Sequence, residues 1–149
     1  MLWIWPYLLG VFTLTVTAEV PGKFNVSVPH GPITSPLGSS VILPCAVTPS
    51  FSVLPYKVLW QRPDTEKTTV LHFEQRKIQE KSADPQYRGR ASLVGDLEMG
   101  NVSLKLENLT LADRGGYVCM VNSFIWYDKA EQDLHVRGMY FKILKLLKM

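Results

Sequence analysis

Two cysteines, Cys45 and Cys119, and three histidines, His30, His72 and His135, are the side chains of this 149-residue chain on which a nucleophilic or metal-dependent reaction would draw. Catalysis needs such groups to converge, with nucleophile, base and orienting partner within hydrogen-bond reach of one another. The histidines are dispersed: His30 follows a proline where a short apolar segment ends, and His72 and His135 fall in two separate alternating runs. Even on one shared sheet, the last two would need further nitrogen, sulfur or carboxylate ligands to hold a metal. No phosphate-cradling glycine loop and no nucleophile elbow occurs. The expectation is a chain that is not an enzyme, with no cofactor, no metal and no small-molecule substrate, whose histidines are solvated surface groups.

Charge and the first residues narrow the class of partner. The net charge is +3, and Lys142, Lys145 and Lys148 carry all of it; the remainder holds 13 basic and 13 acidic residues. A neutral body without a basic stripe does not suit nucleic acid. Residues 1–18 contain no charged side chain and read as a secretory signal peptide, with Val16 and Ala18 as the small cleavage-site residues before Glu19. The rival reading, an uncleaved membrane anchor, is only marginally long enough. In an exported chain the sequons beginning at Asn25, Asn101 and Asn108 are candidate glycosylation sites. The tail, residues 138–149, is too short to span a bilayer. Its lysines three apart leave most of a helical circumference apolar, which would suit an anionic membrane surface. The plainer expectation for it is an unstructured or truncated end.

Residues 19–137 are expected to form one domain, for which an apolar fraction of 46% is ample. Short apolar alternations separated by Gly, Pro, Asn and Asp clusters mark a two-sheet, all-β sandwich. Strands are expected at Phe24 to Val28, ended by Pro29, Gly31 and Pro32; at Val41 to Cys45; at Lys57 to Arg62; at Thr69 to Glu74; and at Ala91 to Val94. Val102, Leu104 and Leu106 give a further strand its inward face, as do Tyr117, Cys119 and Val121, then Leu134 and Val136. The polar stretch Gln75 to Gln86 has room for one more strand and a loop. Gly115 beside Gly116 fits a turn that needs positive φ.

Cys45, Trp60 and Cys119, with D-R-G-G-Y-V-C closing the set, resemble the framework of an immunoglobulin domain. That resemblance implies a disulfide between Cys45 and Cys119, Trp60 packed against it, and Tyr117 as the tyrosine corner. The 58 residues between Trp60 and Cys119 exceed what a constant-type domain needs, so the resemblance is to the variable type (V-set), with Greek-key topology. Arg90 is placed to form a salt bridge with Asp113. Three segments are similar to butyrophilins and myelin oligodendrocyte glycoprotein: Gly31 to Cys45, Tyr87 to Leu93, and Trp126 to Val136. The last strand lacks the G-x-G bulge of rearranged antigen receptors. The resemblance implies a cell-surface domain that modulates T-cell activation by binding a protein receptor on another cell, a lymphocyte in the family's setting. It would lie on the external side of the plasma membrane, or be secreted if the chain is complete. Homophilic adhesion of the myelin type is the alternative. After Gly138 the chain departs from a family that continues into a constant-type domain and a membrane helix.

Alternation places Leu59 and Gln61, Val118, Met120 and Asn122, and Asp133 and His135 on the outer face of one sheet. The loop between the last two strands adds Phe124, Ile125, Trp126 and Tyr127. Exposed aromatic and methionine side chains gathered on one face mark an interface. Leu59, Gln61, Met120, Asn122, Phe124, Ile125 and Trp126 are therefore the expected partner-binding set. Trp126 and Tyr127 carry a second reading, folding back to cover the end of the sandwich.

Overall fold

Period-two alternation builds the core. The computed structural model describes residues 21–138 together with Leu147, so the signal peptide expected at 1–18 and the tail beyond Gly138 lie outside it, Leu147 apart. Its strands are β1 (Asn25–Ser27), β2 (Ile33–Pro36), β3 (Val41–Leu43), β4 (Ala46–Thr48), β5 (Lys57–Gln61), β6 (Thr69–Glu74), β7 (Lys77–Ile78), β8 (Ala91–Leu93), β9 (Leu104–Leu106), β10 (Gly115–Asn122) and β11 (Tyr127–Arg137). A front sheet runs in the order β2-β11-β10-β5-β6-β7, and opposite it lie β3-β9-β8 and the pair β1-β4. Val41 and Leu43, Val58 and Trp60, Leu104 and Leu106, and Tyr117, Cys119 and Val121 all point between the sheets and are buried. Burying such side chains is worth about 1.5–3 kcal/mol each.

Three details differ from the alternation pattern, each for a local reason. The strand expected at Val41 to Cys45 is interrupted after Leu43, because Pro44 has no N–H to give the ladder. The ladder is bridged by side chain: Cys45 N–H donates to Ser103 Oγ at 3.1 Å, and Val102 N–H returns a bond to Cys45 O at 2.9 Å. The first expected strand is followed by a second, β2, on the other sheet. Pro29 to Pro32 make that crossing, with Gly31 at φ 79°, and β2 then pairs parallel to β11 from Leu134 onward. Finally, the extra strand sought in Gln75 to Gln86 is only Lys77–Ile78, reached through Gln75 and Arg76, both left-handed. A two-residue turn with positive φ at both positions matches the twist of the strands it joins.

Cys45 and Cys119 are joined by a disulfide between the sheets. Trp60 stands opposite Cys119 on the neighbouring strand and is fully buried, its Nε1–H donating to Val102 O at 3.0 Å across the core. At the end remote from the β10–β11 loop a polar lock closes the sandwich. The Tyr117 hydroxyl donates to Asp113 O at 2.6 Å. Asp113, 2% exposed, is paired with Arg90 and also accepts from Thr110 N–H at 2.8 Å. Arg62 lies over the Tyr117 ring at 4.5 Å and donates to Gly116 O, Arg114 O and the Tyr87 hydroxyl. Burial alone would lower the Arg62 guanidinium; the Tyr87 hydrogen bond and the field of Tyr117, Tyr87 and Asp113 outweigh it, and its pKa is raised. Burial raises that of the Tyr117 phenol, chiefly by penalising the phenolate. Gly115 has φ 115°, and a Cβ there would stand 2.8 Å from Arg62 Nη2, so any side chain at this position is strained and crowds the lock.

Candidate partner-binding face

The ladders of the front sheet line up the outward residues in rows. Met120 lies between Leu59 and Lys129, and Leu59 in turn faces His72; Val118 lies between Gln61 and Glu131. The residues expected on this face are on it. Their exposure is a correction to the expectation: Leu59, Gln61, Val118, Met120 and Asn122 are only half-buried rather than open. Each sits in the middle strands of a six-stranded sheet, with flanking strands on both sides and long cross-strand partners such as Lys129 for Met120, Glu131 for Val118 and His72 for Leu59. His72 is itself held by a 2.9 Å contact from Nε2 to Glu74 Oε1.

The apolar surface is concentrated at the β10–β11 loop. Phe124 is 61% exposed, Ile125 66% and Tyr127 61%. Buried Ser123 anchors the turn: its N–H donates to Trp126 O at 2.9 Å and its Oγ accepts from Trp126 N–H at 3.2 Å. Asn122 Oδ1 accepts from Phe124 N–H at 2.7 Å, so Asn122 acts first as a brace for the loop. Phe124 is held at φ 72°. A bulky residue in the left-handed region costs on the order of 1–2 kcal/mol and persists where its surroundings over-determine it. Behind it runs an aromatic relay, Phe24 to Phe51 (4.9 Å between centroids), Phe51 to Tyr56 (6.0 Å) and Tyr56 to Phe124 (6.3 Å). The relay joins three distant stretches of the chain at the loop end of the sandwich. Phe24 was expected only as the start of a strand and Phe51 and Tyr56 were not singled out, since nothing in their local patterns announces a common destination.

Trp126 divides between its two readings. Its Nε1–H donates to Phe24 O at 2.9 Å and Lys23 Nζ stands 5.2 Å from the ring centroid, yet the residue stays 38% exposed. The indole thus covers the end of the sandwich while keeping part of its surface in solvent. Tyr127 does not fold back. A groove between Asn122 and the segment from Phe124 to Lys129 borders the tip. Leu147 apart, the other exposed large apolar residues, Ile42, Ile78, Val94, Met99 and Leu111, are scattered over different elements. Isolated positions of that kind are ordinary.

The three sequon asparagines are exposed and lie off the front sheet. Asn25 is on β1, opposite Thr48; Asn101 bridges to Ala46; and Asn108 turns at φ 50° after β9. His30 is exposed in the crossover, while His72 and His135 share the front sheet but sit on β6 and β11, with β5 and β10 between them. Among the described residues no group of three or more His, Cys, Asp or Glu side chains is placed to hold a metal. Nor is any described helix long and apolar enough to cross a membrane.

Comparison with known proteins places this geometry. The immunoglobulin V-set domain family matches residues 28–137. Human myelin-oligodendrocyte glycoprotein is 30% identical over 134 residues, which cover 89% of this chain and 54% of that protein. Human butyrophilin subfamily 1 member A1 is 32% identical over 133 residues, 89% of this chain and 25% of that protein. The crystal structure of bovine butyrophilin superposes with a TM-score of 0.73 at 29% identity, covering 78% of this chain and 56% of that one. This chain therefore spans about half the length of the myelin glycoprotein and a quarter of the human butyrophilin.

Proposed function

This chain belongs to the immunoglobulin V-set family, and we propose that it is a binding module of the butyrophilin type, acting outside the cell or at its surface. It engages a protein receptor on another cell, a lymphocyte in the family's setting, and so regulates T-cell activation. Contact runs through the loop tip of Phe124 and Ile125 and the adjoining rows of the front sheet around Met120 and Leu59. The observation that carries this reading is the tip itself. More than half of Phe124 and of Ile125 is open to solvent, on a loop braced by Ser123 and Asn122 and backed by an aromatic relay. A rigid, preorganised apolar tip loses little entropy when a partner buries it.

The test is staining of activated T cells with a multimer of the exported chain, since avidity makes weak single-domain contacts measurable. Phe124→Asp and Met120→Arg are each expected to weaken binding about thirtyfold or more, the effect of losing roughly 2 kcal/mol at a hot spot. Secretion should be unchanged. Asp tolerates the left-handed backbone at 124 better than Phe, and the Arg stem can cover the surface that Met120 covers. Parental staining by both variants would place the interface elsewhere. Self-association of the chain, with no cell bound, would move the reading to homophilic adhesion.

Glycosylation belongs to the same proposal. Asn25, Asn101 and Asn108 as carriers would leave the front sheet bare for protein contact. Glycopeptide mapping of the secreted chain is expected to find glycans at these sequons, with enzymatic removal leaving multimer staining intact. Loss of staining on deglycosylation would show that the sugars take part in the contact.

A further inference from the structure

We propose that two copies of this chain pair edge to edge through β11, in an antiparallel ladder centred on Ala130. This goes beyond the front-sheet reading and uses a different surface. Ser123 N–H donates to Trp126 O, and that bond fixes the alternation of the β10–β11 ladder. Asp128, Ala130, Gln132 and Leu134 direct their main-chain groups to β10. Tyr127, Lys129, Glu131 and Asp133 direct theirs the other way, as does Arg137, whose carbonyl accepts from Leu37 N–H at 2.7 Å on the β2 side. Pairing with β2 begins only at Leu134. The Leu134–Ile33 register, with Leu134 turned to β10, draws on the Asp133 carbonyl, so over Tyr127 to Gln132 no strand is paired with the outer edge of β11 among the described residues, although β1 and the crossover lie close by: Asp128 Oδ2 accepts from Val26 N–H and Gln132 Nε2 donates to Gly31 O, both at 2.7 Å. A cleft of about 640 Å³ lies along it, between Ala130–Asp133 and the crossover from Val26 to Pro32.

An unpaired edge is a template for another strand. The charges on this one select a second copy of itself. Lys129, Glu131 and Asp133 are exposed, and none forms an ion pair within the described residues. An antiparallel pair centred on Ala130 sets Lys129 opposite Glu131 of the second copy, twice over by symmetry. Tyr127 then faces Asp133, and the small Ala130 side chains, each half-buried against its own core, come nearest at the axis. Centring on Glu131 instead places that carboxylate against itself and shortens the ladder. Parallel pairing sets Lys129 against Lys129. Like charges directly opposite are destabilising and opposite ones stabilising, so the pattern favours one register. The two front sheets would join into one continuous sheet, each keeping its loop tip clear of the ladder's centre.

Sedimentation equilibrium of the purified exported chain over a concentration series reads the association directly. Lys129→Glu and Glu131→Lys are each expected to weaken the dimer on the order of tenfold. The variant carrying both is expected to recover the parental constant, because the reversed pairs are again opposite in sign. Ala130→Cys should give a covalent dimer under mild oxidation, since directly opposed Cα atoms in a non-hydrogen-bonded pair lie about 4.5 Å apart, within disulfide reach. A chain that stays monomeric at every concentration overturns the proposal. So does a dimer that both charge reversals leave unaltered, or one broken only by Leu59→Arg on the front sheet.

Discussion

Removing the Cys45–Cys119 bond by changing both residues to alanine is expected to cost about 4.5 kcal/mol, the chain entropy released when a loop of this size is opened. The two positions are 74 apart in sequence, which makes the term large, and a domain of this size has only about 5–15 kcal/mol in total. The loss should abolish secretion at 37 °C, or leave a species with a strongly lowered denaturation midpoint. Guanidinium unfolding of refolded parent and variant gives the difference, and secreted yield gives its cellular consequence. A drop below about 1 kcal/mol would mean that the core around Trp60 holds without the crosslink.

The second large effect is expected from Asp113→Ala, at about 3–5 kcal/mol, the cost of breaking a buried pair from one side. Asp113 is almost wholly enclosed, while Arg90 keeps a fifth of its side chain in solvent. The deletion takes the carboxylate from the guanidinium, leaving it only the main-chain carbonyls of Gln86, Glu107 and Asn108, and takes the acceptor from Thr110 N–H as well. Arg90→Met should be costly in its turn by leaving the carboxylate enclosed. The double variant should lose clearly less than the sum, because neither charge is then left alone. Additive losses in thermal or guanidinium unfolding would show that the two side chains do not depend on each other.

How much of this was legible beforehand depended on the range of the determining interaction. Strand positions were readable because alternation is local: Val41 and Leu43, or Tyr117, Cys119 and Val121, declare their inward face within five residues. The partner of Arg90 was readable because the resemblance supplied the geometry that brings it to Asp113. The interruption at Pro44 was in plain view as a residue without an N–H, but its repair by Ser103 required knowing which strand lies alongside. Exposure was the least legible quantity. Parity set Leu59 and Met120 on the outer face, yet how far each is covered depends on which strands flank it, and His72 and Lys129 become their neighbours only across the ladders. The relay from Phe24 through Phe51 and Tyr56 to Phe124 spans 100 residues of sequence, and no local period encodes it. Trp126 was ambiguous in sequence and stays divided in space, since one indole both caps the sandwich and shows a face to solvent.

The length of β11 also sets how the domain bears load. The strand runs without a break from the loop tip at Tyr127 to Arg137, which at about 3.3 Å per residue is roughly 35 Å. A partner pulling on Phe124 while the chain is held beyond Arg137 draws along that axis. On one flank β11 is bonded to the whole of β10 and on the other to β2. Because both points of load lie at the ends of this one strand, the tension passes along its covalent backbone, and the ladders on either flank keep the strand extended and in register without carrying the pull between its ends. The strand that presents the tip is thus also the domain's tension member: a pull on the tip would pass to the far end through peptide bonds, leaving the disulfide, the core and the opposite sheet unloaded.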